Sequence, residues 1–180
     1  MKIELKNFKH FPSISEETEA FSATIYVEGQ RMFLASNRGH GEENRVEPVT
    51  GKTYADVRKL ADWVKSQPPV KSSFSDEPLD DNLDYFISRL VADELVNRDL
   101  SRLLKRHVLL YEPKDGNGLT QLVAKFKPGL IESFRKSLEK SFPDSLILND
   151  MSFDQAMLFY RDSDSPEKLA ELYTKFKPKA

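Results

Sequence analysis

The feature that most constrains this fold is an alternating stretch over residues 21–35 that a single glycine interrupts. Between residues 21 and 27, side chains alternate between two faces with a period of two, and several of them are β-branched or aromatic. This pattern is typical of a strand with one buried face. Because Gly29 can adopt positive φ without steric cost, Glu28-Gly29 predicts a two-residue turn. We therefore predict a β-hairpin that pairs residues 21–27 with residues 31–35.

A third strand is expected ahead of the hairpin. Residues 1–8 alternate again, with Ile3 and Leu5 on one side and three charged side chains on the other. Since two strands alone are marginally stable in water, this strand is expected to pair with the hairpin. The prediction is a three-stranded antiparallel N-terminal sheet.

Two helices are predicted in the middle of the chain. Thr53 is a suitable N-cap for a short helix that the prolines at 68 and 69 end. Apolar residues at three- and four-residue spacing then predict a long central helix, with Asp80 or Asp81 as its cap and its end near Lys105. The acidic first turn and basic last turn of this helix agree with the helix dipole.

The C-terminal part is predicted to combine a second β-hairpin with helices. Residues 107–112 and 119–126 have strand character and flank a turn-forming segment. A short strand is expected at 146–148, and helices are expected to begin near residues 128, 152 and 166. The predicted fold class is α+β, with an N-terminal three-stranded antiparallel sheet, a long central helix, a second β-hairpin and a helical C-terminus.

The best candidate for a linker is residues 68–81, PPVKSSFSDEPLDD, which are rich in proline, serine and acidic residues. A boundary there would separate a β-rich N-terminal part with one helix, residues 1–67, from a helical and mixed C-terminal part, residues 82–180. One continuous domain over 1–180 is the alternative.

Composition narrows the classes of function. The 180 residues carry 27 basic and 29 acidic side chains, a formal net charge of -2, so no overall field favours nucleic acid or anionic membranes. The chain has no cysteine, which excludes disulfides and thiol catalysis. It has no apolar run of about 20 residues and no secretory signal, so we expect a cytoplasmic protein without membrane association.

The densest polar chemistry lies in the loop that follows the hairpin. Its candidate site residues are Asn37, Arg38, Gly39, His40, Gly41, Glu42, Glu43 and Arg45, with Asn44 between the last two. In a functional interpretation the glycines let backbone N–H groups approach an anion, Arg38 and Arg45 supply positive charge, and His40 acts as acid, base or ligand. The alternative interpretation is a solvated turn that leaves a strand.

Other candidate sites are weaker. A metal site would need His40 with carboxylates such as Glu42, Glu43 or Glu47, but the sequence has neither paired-histidine nor nucleotide-binding motifs. We therefore expect no metal and no cofactor. The acids at 80, 81 and 84 are interpreted as first-turn residues of the long helix, and His107 as a residue that interacts with its last carbonyls.

A nucleic-acid interface is the less favoured alternative. Four basic residues could line the exposed face of the first sheet beside two aromatic rings, an arrangement that can hold single strands: Lys2, Lys6, Lys9 and Arg31 beside Tyr26 and Phe33. Glu4 and Glu28 lie in the same strands and weaken the positive field.

The first quarter of the chain resembles a known group of proteins. The similar segments are the opening strand, Ser-Glu-Glu-Thr at 15–18, Ala-Thr-Ile-Tyr-Val-Glu-Gly at 23–29 and Ser-Asn-Arg-Gly-His-Gly at 36–41. They resemble small, functionally uncharacterised proteins encoded by bacteriophages and bacterial mobile elements. The resemblance implies a genomic context without an activity, and in that context many small proteins bind host factors.

The leading functional hypothesis is therefore a non-enzymatic interaction protein, phage- or mobile-element-encoded, with a host or phage macromolecule as its partner and a protein as the expected kind of partner. The first alternative is a small enzyme or anion-binding protein that uses the 37–45 loop. The second alternative is a nucleic-acid binder that uses the N-terminal sheet.

Overall fold

A computed structural model describes residues 1–70, 81–111, 128–162 and 165–177. The fold class is α+β, as predicted. The described strands and helices are β1 Ile3–His10, β2 Phe21–Val27, β3 Gln30–Asn37, β4 Arg45–Pro48, α1 Tyr54–Lys65, α2 Leu83–Arg106, β5 Leu110–Tyr111, α3 Ile131–Ser141, β6 Leu146–Ile147, α4 Phe153–Arg161 and α5 Pro166–Phe176.

The chain divides into two compact units, residues 1–94 and 95–180, and the division falls inside α2. The linker predicted at 68–81 lies mostly outside the described residues, because the structure does not describe 71–80.

The N-terminal sheet has four antiparallel strands in the order β1-β2-β3-β4, so the prediction of three strands was wrong. The additional strand, β4, begins at the last residue of the predicted 37–45 loop. Its four residues pair with β3, with Ser36 opposite Arg45 and Phe33 opposite Pro48. A strand this short that ends in proline carries no alternation long enough to recognise.

The predicted hairpin turn is confirmed. Val27 lies opposite Gln30, and the two residues between them both have positive φ, 48° at Glu28 and 77° at Gly29. This is the conformation of a type I′ turn, whose twist matches that of the flanking strands. Lys2 reinforces the turn, because its backbone N–H donates to the Glu28 carboxylate at 2.6 Å and its carbonyl accepts from the Glu28 N–H at 2.9 Å.

A β-bulge next to this turn corrects the predicted side of one aromatic residue. Ile25 lies opposite Phe33, but its neighbour Tyr26 lies opposite Arg31, so Met32 is an extra residue in β3. The bulge shifts the alternation by one residue and places Phe33 in the core, where it is 1% exposed. Phe33 therefore does not join the exposed aromatic face on which we expected it.

The core of the first unit lies on one face of this sheet. Apolar residues of β2 and β3 are buried there, and α1 and α2 contribute further fully buried side chains, namely Leu60, Val64, Ile87 and Val91. Trp63 of α1 meets Phe86 of α2 edge to face, with ring centroids 5.9 Å apart. The buried residues of the sheet and of the two helices thus make up the core of this unit.

The second unit has its own core. Its main cluster consists of Leu100, Leu109, Tyr111, Leu146, Leu148, Ala156, Met157, Phe159 and Leu169. β5 pairs with β6, Leu110 opposite Ile147, so the short strand predicted at 146–148 is present. The partner predicted for the second hairpin, residues 119–126, lies outside the described residues. On α3, Phe134 is 42% exposed.

The predicted N-cap of α2 was wrong. Asn82 caps the helix, because its side-chain oxygen accepts from the Tyr85 N–H at 2.8 Å. Asp81 is instead a buried residue, 4% exposed, whose carboxylate pairs with the guanidinium of Arg89, the seventh residue of the helix. The ion pair of Asp81 thus links the residue before the N-cap to the second turn of the helix.

The C-terminal end of α2 is capped from a distance by Asn149. Its amide nitrogen donates to the carbonyls of Leu104 and His107, each at 3.0 Å, and its oxygen accepts from the Leu109 N–H at 2.8 Å. We expected His107 to interact with these carbonyls, but its Nδ1 is buried without a hydrogen-bond partner in the described part of the chain. One amide therefore satisfies two carbonyls that the end of a helix otherwise leaves unpaired, together with the N–H of the residue that precedes β5.

Replacing Asn149 tests this cap. Asn149→Ala leaves three backbone groups without their partner, so we expect a loss of about 2–3 kcal/mol in the free energy of unfolding, measured by urea denaturation. Asn149→Asp keeps an acceptor for Leu109 but cannot donate to the two carbonyls, so it should also destabilise the protein. Wild-type stability of Asn149→Asp would show that the donated bonds are unimportant.

Candidate functional site

The predicted site is the connection between β3 and β4. Asn37 is the last residue of β3 and Arg45 is the first residue of β4, so the loop proper is residues 38–44. Gly39 and Gly41 have φ of 94° and 83°, conformations that L-residues with a side chain rarely adopt. The two glycines therefore allow the chain to reverse within a few residues.

The side chain of Asn37 organises this loop from the inside. It is 7% exposed and makes four hydrogen bonds. Its oxygen accepts from the Thr18 hydroxyl at 2.9 Å and from the Gly39 N–H at 2.8 Å. Its nitrogen donates to the Glu42 carbonyl at 2.8 Å and to the Asn44 side chain at 3.2 Å. A buried amide that is fully paired in this way fixes the conformation around it.

Gly39 joins the loop to the segment between β1 and β2. Its carbonyl accepts from three successive N–H groups, Glu16 at 3.0 Å, Glu17 at 2.9 Å and Thr18 at 3.4 Å. A Cβ atom on Gly39 would lie 2.2 Å from the Ile14 carbonyl oxygen. The two segments are therefore so close that only glycine fits at this position.

The Glu42 carboxylate is hydrogen-bonded to donors of its own loop. It accepts from the backbone N–H of Arg38 at 3.2 Å, from Arg38 Nε at 3.0 Å and from the His40 N–H at 3.1 Å. The bond from the Arg38 guanidinium, helped by the two backbone N–H groups, lowers the pKa of Glu42 below its ordinary value. Arg38, which we assigned to an anionic ligand, and two backbone N–H groups of the loop thus donate to a carboxylate of the loop itself.

The imidazole of His40 lies at the surface. Its side chain is 55% exposed, and Nδ1 is 3.1 Å from the carboxylate of Glu16, which is 70% exposed. The Arg38 side chain is 85% exposed beyond its contact with Glu42. The loop therefore presents both the imidazole of His40 and the guanidinium of Arg38 to solvent.

The remaining candidates do not converge with His40. Arg45 pairs with Glu47 of its own strand at 2.6 Å, and Glu43 is exposed. Asn44 is held by α2, because its backbone N–H donates to the Asp84 carboxylate at 2.7 Å and its side chain donates to Ser88 Oγ at 2.8 Å. Arg38 and Arg45 thus have separate carboxylate partners.

Comparisons of this chain with models of protein families, with curated proteins and with solved structures found no match. In the described part of the chain, no three histidine or acidic side chains gather as metal ligands would. Across those same residues, every helix is too short or too polar to cross a bilayer. The site must therefore be interpreted from its own chemistry.

The structure adds a segment that sequence reasoning passed over, residues 11–20 between β1 and β2. It contains a 3-10 turn, Pro12–Ile14, on which Phe11 and Ile14 are 41% and 47% exposed. Ser15 stabilises the segment, because its hydroxyl donates to the Phe11 carbonyl at 3.1 Å and accepts from the Ala20 N–H at 2.9 Å. The sequence feature that could have identified this segment is the apolar pair Phe11 and Ile14, which lies between a predicted strand and a run of acidic residues.

Substituting Gly39 measures how tightly the two segments are joined. Gly39→Ala adds a strained φ and a clash with Ile14, so we expect a loss of at least about 3 kcal/mol in the free energy of unfolding. Gly29→Ala is the matched control, since Gly29 also has positive φ but open space around its Cβ position. It should cost about 1 kcal/mol. Equal losses in urea denaturation would contradict the close approach.

The carboxylate within the loop predicts a dependence on pH. Because the folded state lowers the pKa of Glu42 from 4.5, its stabilisation is fully present above pH 4.5 and is lost as pH falls through the folded value. Glu42→Gln should therefore lower Tm near neutral pH, with a difference from wild type that shrinks in acid. Glu43→Gln, at an exposed neighbouring carboxylate, should show little change at any pH. A Glu42→Gln difference that stays constant from pH 7 to pH 2 would refute the ion pair.

Proposed function

We propose that this chain is a non-enzymatic interaction protein, encoded by a phage or mobile element, that binds a host or phage protein. The binding surface that we propose consists of residues 11–20 and the loop 37–44, and we call it the loop surface. The observation that carries the proposal is the exposure of Phe11 and Ile14, 41% and 47%, on a backbone that hydrogen bonds hold in place.

Apolar anchors on a preorganised backbone are what a protein interface needs. Interface centres are enriched in aromatic and other large apolar side chains and in arginine, and a few such residues supply most of the binding energy. Because Ser15 and Gly39 already fix the two segments, little ordering entropy remains to oppose binding. Arg38 and His40 add exposed polar groups next to the apolar pair.

The charge of the loop surface favours a basic partner. It carries five carboxylates, Glu16, Glu17, Glu19, Glu42 and Glu43, against the single guanidinium of Arg38. With histidines neutral, the formal charge of these two segments is therefore -4. Charge complementarity would speed association with a positively charged protein surface and would make it sensitive to salt.

The internal use of the loop donors favours binding over catalysis. Glu42 accepts the N–H groups of Arg38 and His40, so an external anion would have to displace this carboxylate. On the sheet face suggested for nucleic acid, Glu4 lies 3.0 Å from Lys2 and 3.9 Å from Lys6. Lys6 also lies over the Tyr26 ring, 4.5 Å from its centroid. Lys2 and Lys6 of that face thus already have partners within the sheet.

Site-specific photo-cross-linking tests the proposal. A benzophenone amino acid in place of Ile14 should give one dominant adduct with a protein in lysate of a bacterial host, and mass spectrometry identifies that protein. Leu34, which is 41% exposed on β3, is the matched control position. The adduct protein is then purified, and its affinity is measured by titration.

The expected result is a loss of affinity of about tenfold or more for the double variant Phe11→Ser/Ile14→Ser, since anchor residues are usually worth more than 1 kcal/mol each. Leu34→Ser should bind as wild type does, and the affinity should fall with added salt. Circular dichroism and Tm check that each variant is folded. Identical adducts from positions 14 and 34, or unchanged affinity of the double variant, would refute the proposed surface.

A further inference from the structure

A second candidate site lies entirely within the second unit, at a cleft of about 440 Å³ between α3, β6 and the end of α5. Its volume falls within the range of roughly 300–1,000 Å³ that is typical of ligand sites. The charged side chains of its lining are Arg135, Glu139, Asp144, Asp150 and Lys177. It shares no residue with the loop surface.

The apolar part of the lining is incompletely covered. Leu146 is buried in the core of the unit, but Ile147, Met151 and Phe176 are each half-buried. Tyr173 adds a half-buried ring, whose hydroxyl donates to the Asp144 carbonyl at 2.8 Å. An apolar group that entered the cleft would cover this area and gain the corresponding hydrophobic free energy.

Both basic side chains of the cleft are already neutralised by carboxylates. Arg135 donates to Asp150 at 2.8 Å through Nη1 and to Glu132 at 2.6 Å through Nη2. The Lys177 ammonium lies 3.3 Å from Asp144 and 5.3 Å from the centroid of the Tyr173 ring. An anionic ligand would therefore have to compete with three carboxylates for these two cations.

Glu139 is the one acidic residue of the lining without such a partner. It lies four residues after Arg135, on the same side of α3. In the described part of the chain it makes neither an ion pair nor a hydrogen bond, and its side chain is exposed. With three carboxylates and two cations in the lining, the cleft has a formal charge of -1.

We propose that this cleft binds a basic peptide segment of another protein, with a lysine or arginine side chain at Glu139 and an adjacent apolar side chain against Met151 and Phe176. A cation completes the charge balance of the lining, and the apolar neighbour covers the half-buried area. A peptide supplies both groups on successive residues. The inference is independent of the proposed loop surface, because it uses other residues of the other unit.

Binding of a defined peptide to the full chain tests this inference. The probe is acetyl-Phe-Arg-amide, followed by ¹H–¹⁵N correlation spectra during titration. We expect saturable shifts of the amides of Leu146, Ile147 and Met151. Acetyl-Phe-Glu-amide should bind at least about tenfold more weakly, because its carboxylate meets the acidic lining.

Two variants make the assignment specific. Glu139→Gln should weaken acetyl-Phe-Arg-amide binding about two- to fivefold, the scale of one lost ion pair at an exposed position. Glu171→Gln is the matched control, because Glu171 is an exposed carboxylate of α5 outside the cleft. It should bind the peptide as wild type does. Both substitutions are at exposed positions, and the spectra themselves report whether each variant is folded.

Several outcomes would overturn the inference. Equal affinity for the arginine and glutamate peptides would remove the charge argument, and wild-type affinity of Glu139→Gln would remove the assigned residue. Benzylamine binding as tightly as the peptide would show that the cleft takes a free amine rather than a peptide segment. The absence of any shift at millimolar peptide would refute binding altogether. None of these results would bear on the cross-linking at Ile14.

Discussion

The first unit depends on the hydrogen bonds that Asn37 and Gly39 make beneath the β3–β4 loop. A buried amide without its partners would cost about 1–3 kcal/mol for each lost bond, so the four bonds of Asn37 make one loop conformation far more stable than the others. In the same conformation the Gly39 carbonyl accepts hydrogen bonds from the three N–H groups of residues 16–18, which fixes that segment as well. The loop that carries His40 is thus specified by buried polar pairing rather than by apolar packing.

This arrangement explains why the N–H donors near His40 are paired with a carboxylate of the loop itself. A loop with two glycines at positive φ exposes N–H groups that must be paired by water, by a ligand or by the chain itself. Here Glu42 pairs with two of them and with the Arg38 guanidinium. An internal carboxylate in this position stabilises the loop while leaving the tips of Arg38 and His40 at the surface, where they can contact a partner without a change of backbone conformation.

The sequence predicted what local patterns determine and missed what distant polar contacts determine. The hairpin turn at Glu28-Gly29, the long α2 helix and the helix that begins near residue 152 follow from alternation, spacing and capping chemistry, and the structure contains them. The misplacement of Phe33 came from a bulge, which a strict period of two cannot register. The contacts of Asn44 with Asp84, and of Asn149 with Leu109, join residues 40 positions apart. Such pairs leave no periodic trace, so the sequence identified the loop but not what anchors it.

Charge, too, differs between the whole chain and its local surfaces. A net charge of -2 over the whole chain gave no reason to expect an electrostatic preference. The two segments of the loop surface nevertheless carry -4, so the rest of the chain is formally +2, and the cleft near Glu139 adds a separate local excess of one carboxylate. In both places the basic side chains are held by carboxylates at hydrogen-bond distance, and exposed acids remain beside half-covered apolar groups. Because screening confines the interactions of exposed charges to about 8–10 Å, a partner responds to this local balance and not to the sum over the chain.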